Sequence, residues 1–261
     1  MGRKRRRKSE KFLSEHPNCC LCGGTVSAKT TEHCPPRILF KGKYIPGAFE
    51  FPACEFCNSE SAAADQVAAF FAQAMAHTLS PHVTNDDVRK LAEAIINNHP
   101  EIAGIFGGPS EEVSIRIAGG SITLDRFEIS SEIFEDWLNP WAAKLATAFW
   151  YHETGRILPD KGRISIQWRT NAVMHEVGFP SDLVEAMPRA NWVRYGRQEF
   201  DEQFFYRFGH DQETDFGGFL FGFHNTSAVL AGVDPSGTLI EMGEPWSTFR
   251  IAAGKGIEAL S

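Results

Sequence analysis

Six cysteines fall within residues 19–57, and four of them form two Cys-x-x-Cys pairs: Cys19 with Cys22, followed by Gly23, and Cys54 with Cys57. A pair at this spacing brings two sulfurs onto one tight turn. Two such turns supply the tetrahedral thiolate set that Zn²⁺ prefers, and Gly23 lets the first turn tighten. The spacing predicts a structural zinc on Cys19, Cys22, Cys54 and Cys57; the plainer alternative is four buried or free thiols. Cys20 is an alternative ligand because it neighbours Cys19, and Cys34 reads as a small buried thiol. Between the pairs runs Thr30-Thr31-Glu32-His33-Cys34-Pro35-Pro36, and Asn58 follows Cys57 directly. A neutral imidazole can take a proton near pH 7, and oxygen ligands suit hard divalent cations. For His33 the competing reading is a structural hydrogen bond within its loop.

Charge is distributed unevenly around this segment. The chain carries −7 overall, yet Arg3, Lys4, Arg5, Arg6, Arg7, Lys8 and Lys11 stand against Glu10 alone in residues 1–12. The first twelve residues are therefore +6 and the remainder −13. A dense cationic run on an acidic body predicts contact with phosphate and a nucleic-acid partner; a solubilising tail is the bland alternative. Arg37 is a further phosphate-contact candidate, or simply a solvated charge.

The order of these residues resembles the HNH, or ββα-metal, nuclease family. The match runs over residues 19–58: a Cys-x-x-Cys pair, the acidic-His pair Glu32-His33 with Pro36 nearby, then Cys54–Cys57 with Asn58 directly after. The resemblance implies a zinc-stapled ββα module over residues 15–63 in which zinc does no chemistry. It implies His33 as general base, with Glu32 and Asn58 holding a catalytic Mg²⁺ or other divalent cation. Hydrolysis of a phosphodiester needs that activated water and a cation on the phosphoryl oxygens. The implied activity is a metal-dependent endonuclease, acting on DNA before other nucleic acids, with a defence role by analogy. The chain departs from the pattern in having Glu32 where Asp is more usual and Asn58 where His is more usual. It has no Asn shortly before the second pair, and Ser59-Glu60-Ser61 where a basic residue often follows. Two other functions stay open: a catalytically degenerate zinc protein that binds nucleic acid, and a structural or interaction protein with a zinc cap.

The elements that must position these groups read as α+β, with a mainly antiparallel sheet. Residues 1–14 read as a charged, flexible arm, and residues 15–63 as loops and short strands needing a staple. Residues 64–261 form a body of unassigned function. Val67, Phe70, Phe71 and Met75 recur at helical spacing, and a second helix carries Val88, Leu91 and Ile95 behind a Thr84–Asp87 capping box. Alternation predicts a hairpin over 112–127 turning at Gly119-Gly120. A long helix is predicted from Ser131 to about Thr154, with Gly155 as its cap. Strands follow at Ile164–Trp168, Phe204–Phe208, Phe219–Phe223, Val229–Val233 and Thr238–Met242. Gly217-Gly218 reads as a bend or bulge, the Phe stripes as core, and His152 as a core or helix C-terminal histidine. With 43% apolar residues the chain can bury a real core. Its longest apolar stretch, Phe216–Phe223, is too short to cross a bilayer, and no secretory h-region follows the basic start. The expectation is a cytoplasmic protein with no membrane contact.

Overall fold

The computed structural model describes residues 3–40, 49–76, 80–103, 110–117, 120–127, 130–170, 185, 187, 189–192, 194–195, 198–199, 202–238 and 245–260. Helix α1 spans Arg3–Glu15. A cysteine-bearing turn then leads to β1 (Thr30–His33), a short 3₁₀ turn (Arg37–Leu39), β2 (Glu50–Ala53) and α2 (Glu55–Glu60). Next come α3 (Ala62–Ala76), α4 (Asn85–Asn98) and α5 (Pro100–Ala103). The hairpin β3 (Ser110–Ile117) and β4 (Gly120–Phe127) follows. Helix α6 (Ser131–Ile133) runs through a π-helical stretch (Phe134–Leu138) into α7 (Asn139–Thr154). The rest is β: β5 (Arg163–Thr170), β6 (Arg189–Trp192), β7 (Arg194–Tyr195), β8 (Gln198–Glu199), β9 (Phe204–Asp211), β10 (Phe216–Phe223), β11 (Ser227–Asp234), β12 (Ser247–Ala252) and β13 (Gly256–Ala259). The expected strand at Thr238–Met242 lies outside the described residues beyond Thr238.

Seven strands form one antiparallel sheet in the order β13-β12-β5-β11-β10-β9-β6. Helix α7 lies on this sheet, packed chiefly on β5 and β11. Every residue from Trp141 to Trp150 is buried, so this stretch of α7 has no solvent face and is covered on its other side as well; His152, beyond it, is exposed and is a helix C-terminal rather than a core histidine. That cover is the cysteine-bearing segment together with α3. Phe51 of β2 and Phe149 of α7 have ring centroids 6.0 Å apart, and Phe149 in turn meets Phe221 of β10 at 5.2 Å. The layers are therefore the cysteine-bearing segment with α3, then α7, then the sheet, sharing one hydrophobic core that runs from Cys19 to Ile251.

Local signals explain the element ends. Thr84 and Asp87 exchange both capping-box bonds at the start of α4, and Gly155 closes α7 in the left-handed region at φ 68°. The Phe204/Tyr206 and Phe219/Phe221/Phe223 stripes face the core. Gly217 and Gly218 do not bend the chain: both pair in unbroken register with β9 and β11. A side chain at Gly217 would come within 2.7 Å of Trp150, so this glycine makes room for an α7 ring. Arg3–Glu15, read from sequence as an arm, is helical. Lys and Arg favour helix, and the C-terminal end of α1 is anchored by His16, which shares a 2.6 Å hydrogen bond with Tyr151 of α7.

Candidate metal centre

The sulfurs of Cys19, Cys22, Cys54 and Cys57 all lie within 4.8 Å of one another, and all four residues are buried. Two short constructions bring them there. The first pair sits on a turn closed by the Asn18–Ser27 bridge and by the Cys19 N–H donating to the Val26 carbonyl at 2.9 Å. Gly23 and Gly24 both take positive φ, 76° and 71°, as that turn requires. The second pair straddles the start of α2. Cys54 is the N-cap, and its sulfur accepts from the Cys57 N–H at 3.4 Å. A helix N-terminus favours negative charge, so it lowers the energy of thiolates placed there.

Electrostatics bind the four into one unit. Hydrogen bonds from Cys22 and Cys57 pull the Cys19 thiol down to about 2. The same bond to Cys19 pushes Cys22 up to about 12, and Cys57 is pushed up by its bonds to Cys19 and Cys22. Ionisation of Cys19 is thus supported by its neighbours, and a cation would compensate the charge of further thiolates beside it. A tetrahedral ZnS₄ site has bonds of about 2.3 Å and hence edges of about 3.8 Å, so the sulfurs need only a small contraction to hold it. The β12–β13 turn closes one side of the centre. The Gly254 N–H donates to the Cys22 carbonyl at 3.2 Å, and Gly256 abuts the Cys57 sulfur. Nothing in the spacing of the cysteines signals that the β12–β13 turn supplies this wall. Cys20 and Cys34 are buried outside the quartet, and burial pushes both thiols up.

The other sequence-selected residues are placed around the β1–β2 ribbon. Glu32 pairs across the ribbon with Phe51, and His33 with Glu50. Successive strand residues face opposite sides, so Glu32 faces α7 with Phe51 and His33 takes the other side. The Glu32 carboxylate accepts from Lys144 Nζ at 3.1 Å through Oε1. Lys144 also donates to Asp65 Oδ1 at 2.8 Å, and the Trp141 indole N–H donates to that same oxygen at 2.9 Å. Burial pushes the Glu32 carboxyl up to about 7 against the pull of Lys144, and burial raises Asp65 as well. Burial also works against the Lys144 charge, but Asp65 and Glu32 more than restore it; the Cys34 thiol, kept protonated by burial, adds none. Asn58 Nδ2 donates to Thr30 Oγ1 at 3.0 Å, tying α2 to β1. Glu32 and His33 thus leave the ribbon on opposite sides, and Asn58 is bonded to Thr30. Among the described residues, no second group of three His, Cys, Asp or Glu ligands is as close as the cysteine quartet.

The cationic candidates divide in two. Arg37 lies 3.9 Å from Glu50. Arg3, Lys4, Arg5, Arg6 and Arg7 lie on α1, while Lys8 is exposed. Sequence reasoning missed Lys144 and Asp65. A lysine inside the apolar run Trp141–Trp150 was the available signal, because a helix buried all round cannot carry a charge without a partner.

Comparison of the chain with protein-family models, curated proteins and solved structures returns no match. What stands without them is an α+β protein in which four close cysteines could hold a metal ion. Among the described residues, no helix is long and apolar enough to cross a membrane.

Proposed function

We propose that this chain is a zinc-stapled nucleic-acid-binding protein, with residues 15–63 an HNH-like ββα module that does not carry out hydrolysis in the folded state described. The four-sulfur cluster carries the zinc part of this reading: it is buried, walled and sulfur-only, which is the character of a structural rather than a catalytic site. The order β1, β2, α2, with Asn58 tied back to β1, supports the HNH-like reading. The commitment of Glu32 to Lys144 favours binding over cleavage, because the carboxylate that the resemblance assigns to a divalent cation already serves an ammonium. Helix α1 supplies the phosphate contact, with DNA as the leading partner. It ends three residues before Cys19 is reached, so the metal centre fixes where that charge is presented.

The test is a binding titration of the full chain with duplex DNA, single strands and RNA across a salt series, beside cleavage assays in Mg²⁺ and Mn²⁺. We expect binding that weakens steeply with salt and no metal-dependent cleavage. Cleavage that is lost in His33→Ala with zinc content intact would replace this reading by the nuclease one, with Glu32 and Asn58 as ligands of the second cation. Absence of binding to any nucleic acid at low salt would leave a structural protein with a zinc cap.

A further inference from the structure

The buried group around Lys144 is built like a cation site that already contains its cation. Two carboxylates from different elements, Glu32 of β1 and Asp65 of α3, converge on one ammonium from a third, at 3.1 and 2.8 Å. The side chains of Lys144, Glu32 and Asp65 are only 7%, 4% and 14% exposed. The set is asymmetric. Asp65 Oδ1 takes two donors, whereas Glu32 Oε2 is buried with no hydrogen-bond partner among the described residues. A buried carboxylate oxygen without a donor is costly, and here it lies on a group that faces positive charge. Oxygen donors held in this way are what Mg²⁺ and Mn²⁺ take as ligands.

We propose that Glu32 and Asp65 wall a divalent-cation site whose resident charge is the Lys144 ammonium, so that a metal ion enters only where Lys144 is withdrawn. The proposal deepens the reading of residues 15–63 and rests on it for Glu32 as a cation-facing carboxylate. Lys144 is a tethered internal cation: it neutralises the pair without water or metal, and it ties the ribbon to α7. Its truncation to alanine leaves two carboxylates facing a void vacated by three methylenes and an ammonium, space for a cation with water to complete its shell. The same arrangement accounts for an acidic pair buried in a protein whose described residues show no second cluster of metal ligands.

The experiment uses the full chain and Mn²⁺ alone, followed by electron paramagnetic resonance of the free ion and by thermal melting. Lys144→Ala is expected to bind one equivalent of Mn²⁺ more than the unaltered chain. With Mn²⁺ at a hundredfold excess over Kd, its Tm should rise by about 5–10 °C. Lys144→Ala/Glu32→Gln should lose both the equivalent and the rise. Equal Mn²⁺ binding by Lys144→Ala and the unaltered chain would overturn the proposal, and so would undiminished binding by the double variant. Should Lys144→Ala fail to fold without metal, refolding is the readout. Recovery of native tryptophan emission with Mn²⁺ in the single but not the double variant supports the site, and no recovery overturns it. Loss of nucleic-acid binding is scored in a separate titration, so failure of the functional reading leaves the Mn²⁺ result intact.

Discussion

Substituting Phe51→Ala tests whether the cysteine-bearing segment and the body fold as one. Phe51 sits on β2 at 2% exposure, with ring centroids 6.0 Å from Phe149 and 6.3 Å from His152. Phe149 is fully buried and continues the packing into the sheet at Phe204 and Phe221. Deleting a buried phenyl ring costs about 3–5 kcal/mol, the forfeited burial plus the cavity left behind. At about 2–4 °C per kcal/mol for a chain of this size, Tm should fall by about 6–20 °C. The sequence supplies two independent probes. All six cysteines lie in residues 19–57, and all six tryptophans in residues 137–246. Thiol labelling during a melt therefore follows the segment, and tryptophan emission follows the body. If one core joins them, both curves shift together in Phe51→Ala. The reasoning is refuted if the thiols become reactive many degrees earlier while the tryptophan transition stays where it was.

Three further outcomes are expected. Purified chain should carry about one zinc, and Cys54→Ser should lose it and expose the remaining thiols, since binding energy at such a site is folding energy; metal analysis of the reduced protein checks this. Replacing Arg3, Lys4, Arg5, Arg6 and Arg7 by Gln should reduce the slope of log K against log salt by about 0.9 for each duplex phosphate that is no longer neutralised, and fluorescence anisotropy at several salt concentrations reads it. His224 lies buried in the turn between β10 and β11, where burial pulls its pKa down to about 4 against a weak pull from the Leu39 backbone. The unfolded chain takes up that proton near pH 6.5 and the folded chain does not. Stability from this residue is therefore full above pH 6.5 and is lost as pH falls toward 4, by about 2 kcal/mol at pH 5. His224→Asn, which tolerates the positive φ of 49° there, should show a smaller Tm drop between pH 7.5 and pH 5 than the unaltered chain.

What the sequence revealed and what it hid follow the range of the interactions concerned. The cysteine quartet was legible because each pair is local: a turn and a helix start bring two sulfurs together whatever the rest of the chain does. The Thr84 capping box, the Gly155 cap and the alternating phenylalanines were legible for the same reason. The partner of Glu32 was not, because Lys144 is 112 residues away and reaches it only after α7 has been enclosed between ribbon and sheet. Gly217 misled because a glycine that yields space to Trp150 looks, in sequence, like one that bends a strand. The helical state of Arg3–Glu15 was hidden behind its charge; its fixed end depends on a histidine–tyrosine bond to α7, formed between residues 135 apart.

These long-range ties give the metal centre a role beyond holding its own turns. Cys19 follows α1 after three residues, and Cys57 lies in the first turn of α2, one residue before Asn58 crosses to Thr30. A metal on the quartet therefore fixes the end of the basic helix, the start of α2 and, through β1, the placement of Glu32 against α7. Withdrawing it loosens the two helix ends and leaves Glu32 to its Lys144 bond and the core packing of the ribbon. The His16–Tyr151 bond would then carry more of the tie between α1 and the body, and one partly buried hydrogen bond contributes only about 1 kcal/mol. On that basis zinc removal should impair nucleic-acid binding as strongly as neutralising α1 does. A protein that binds phosphate equally well with and without its metal would show that α1 acts as an independent charged tail.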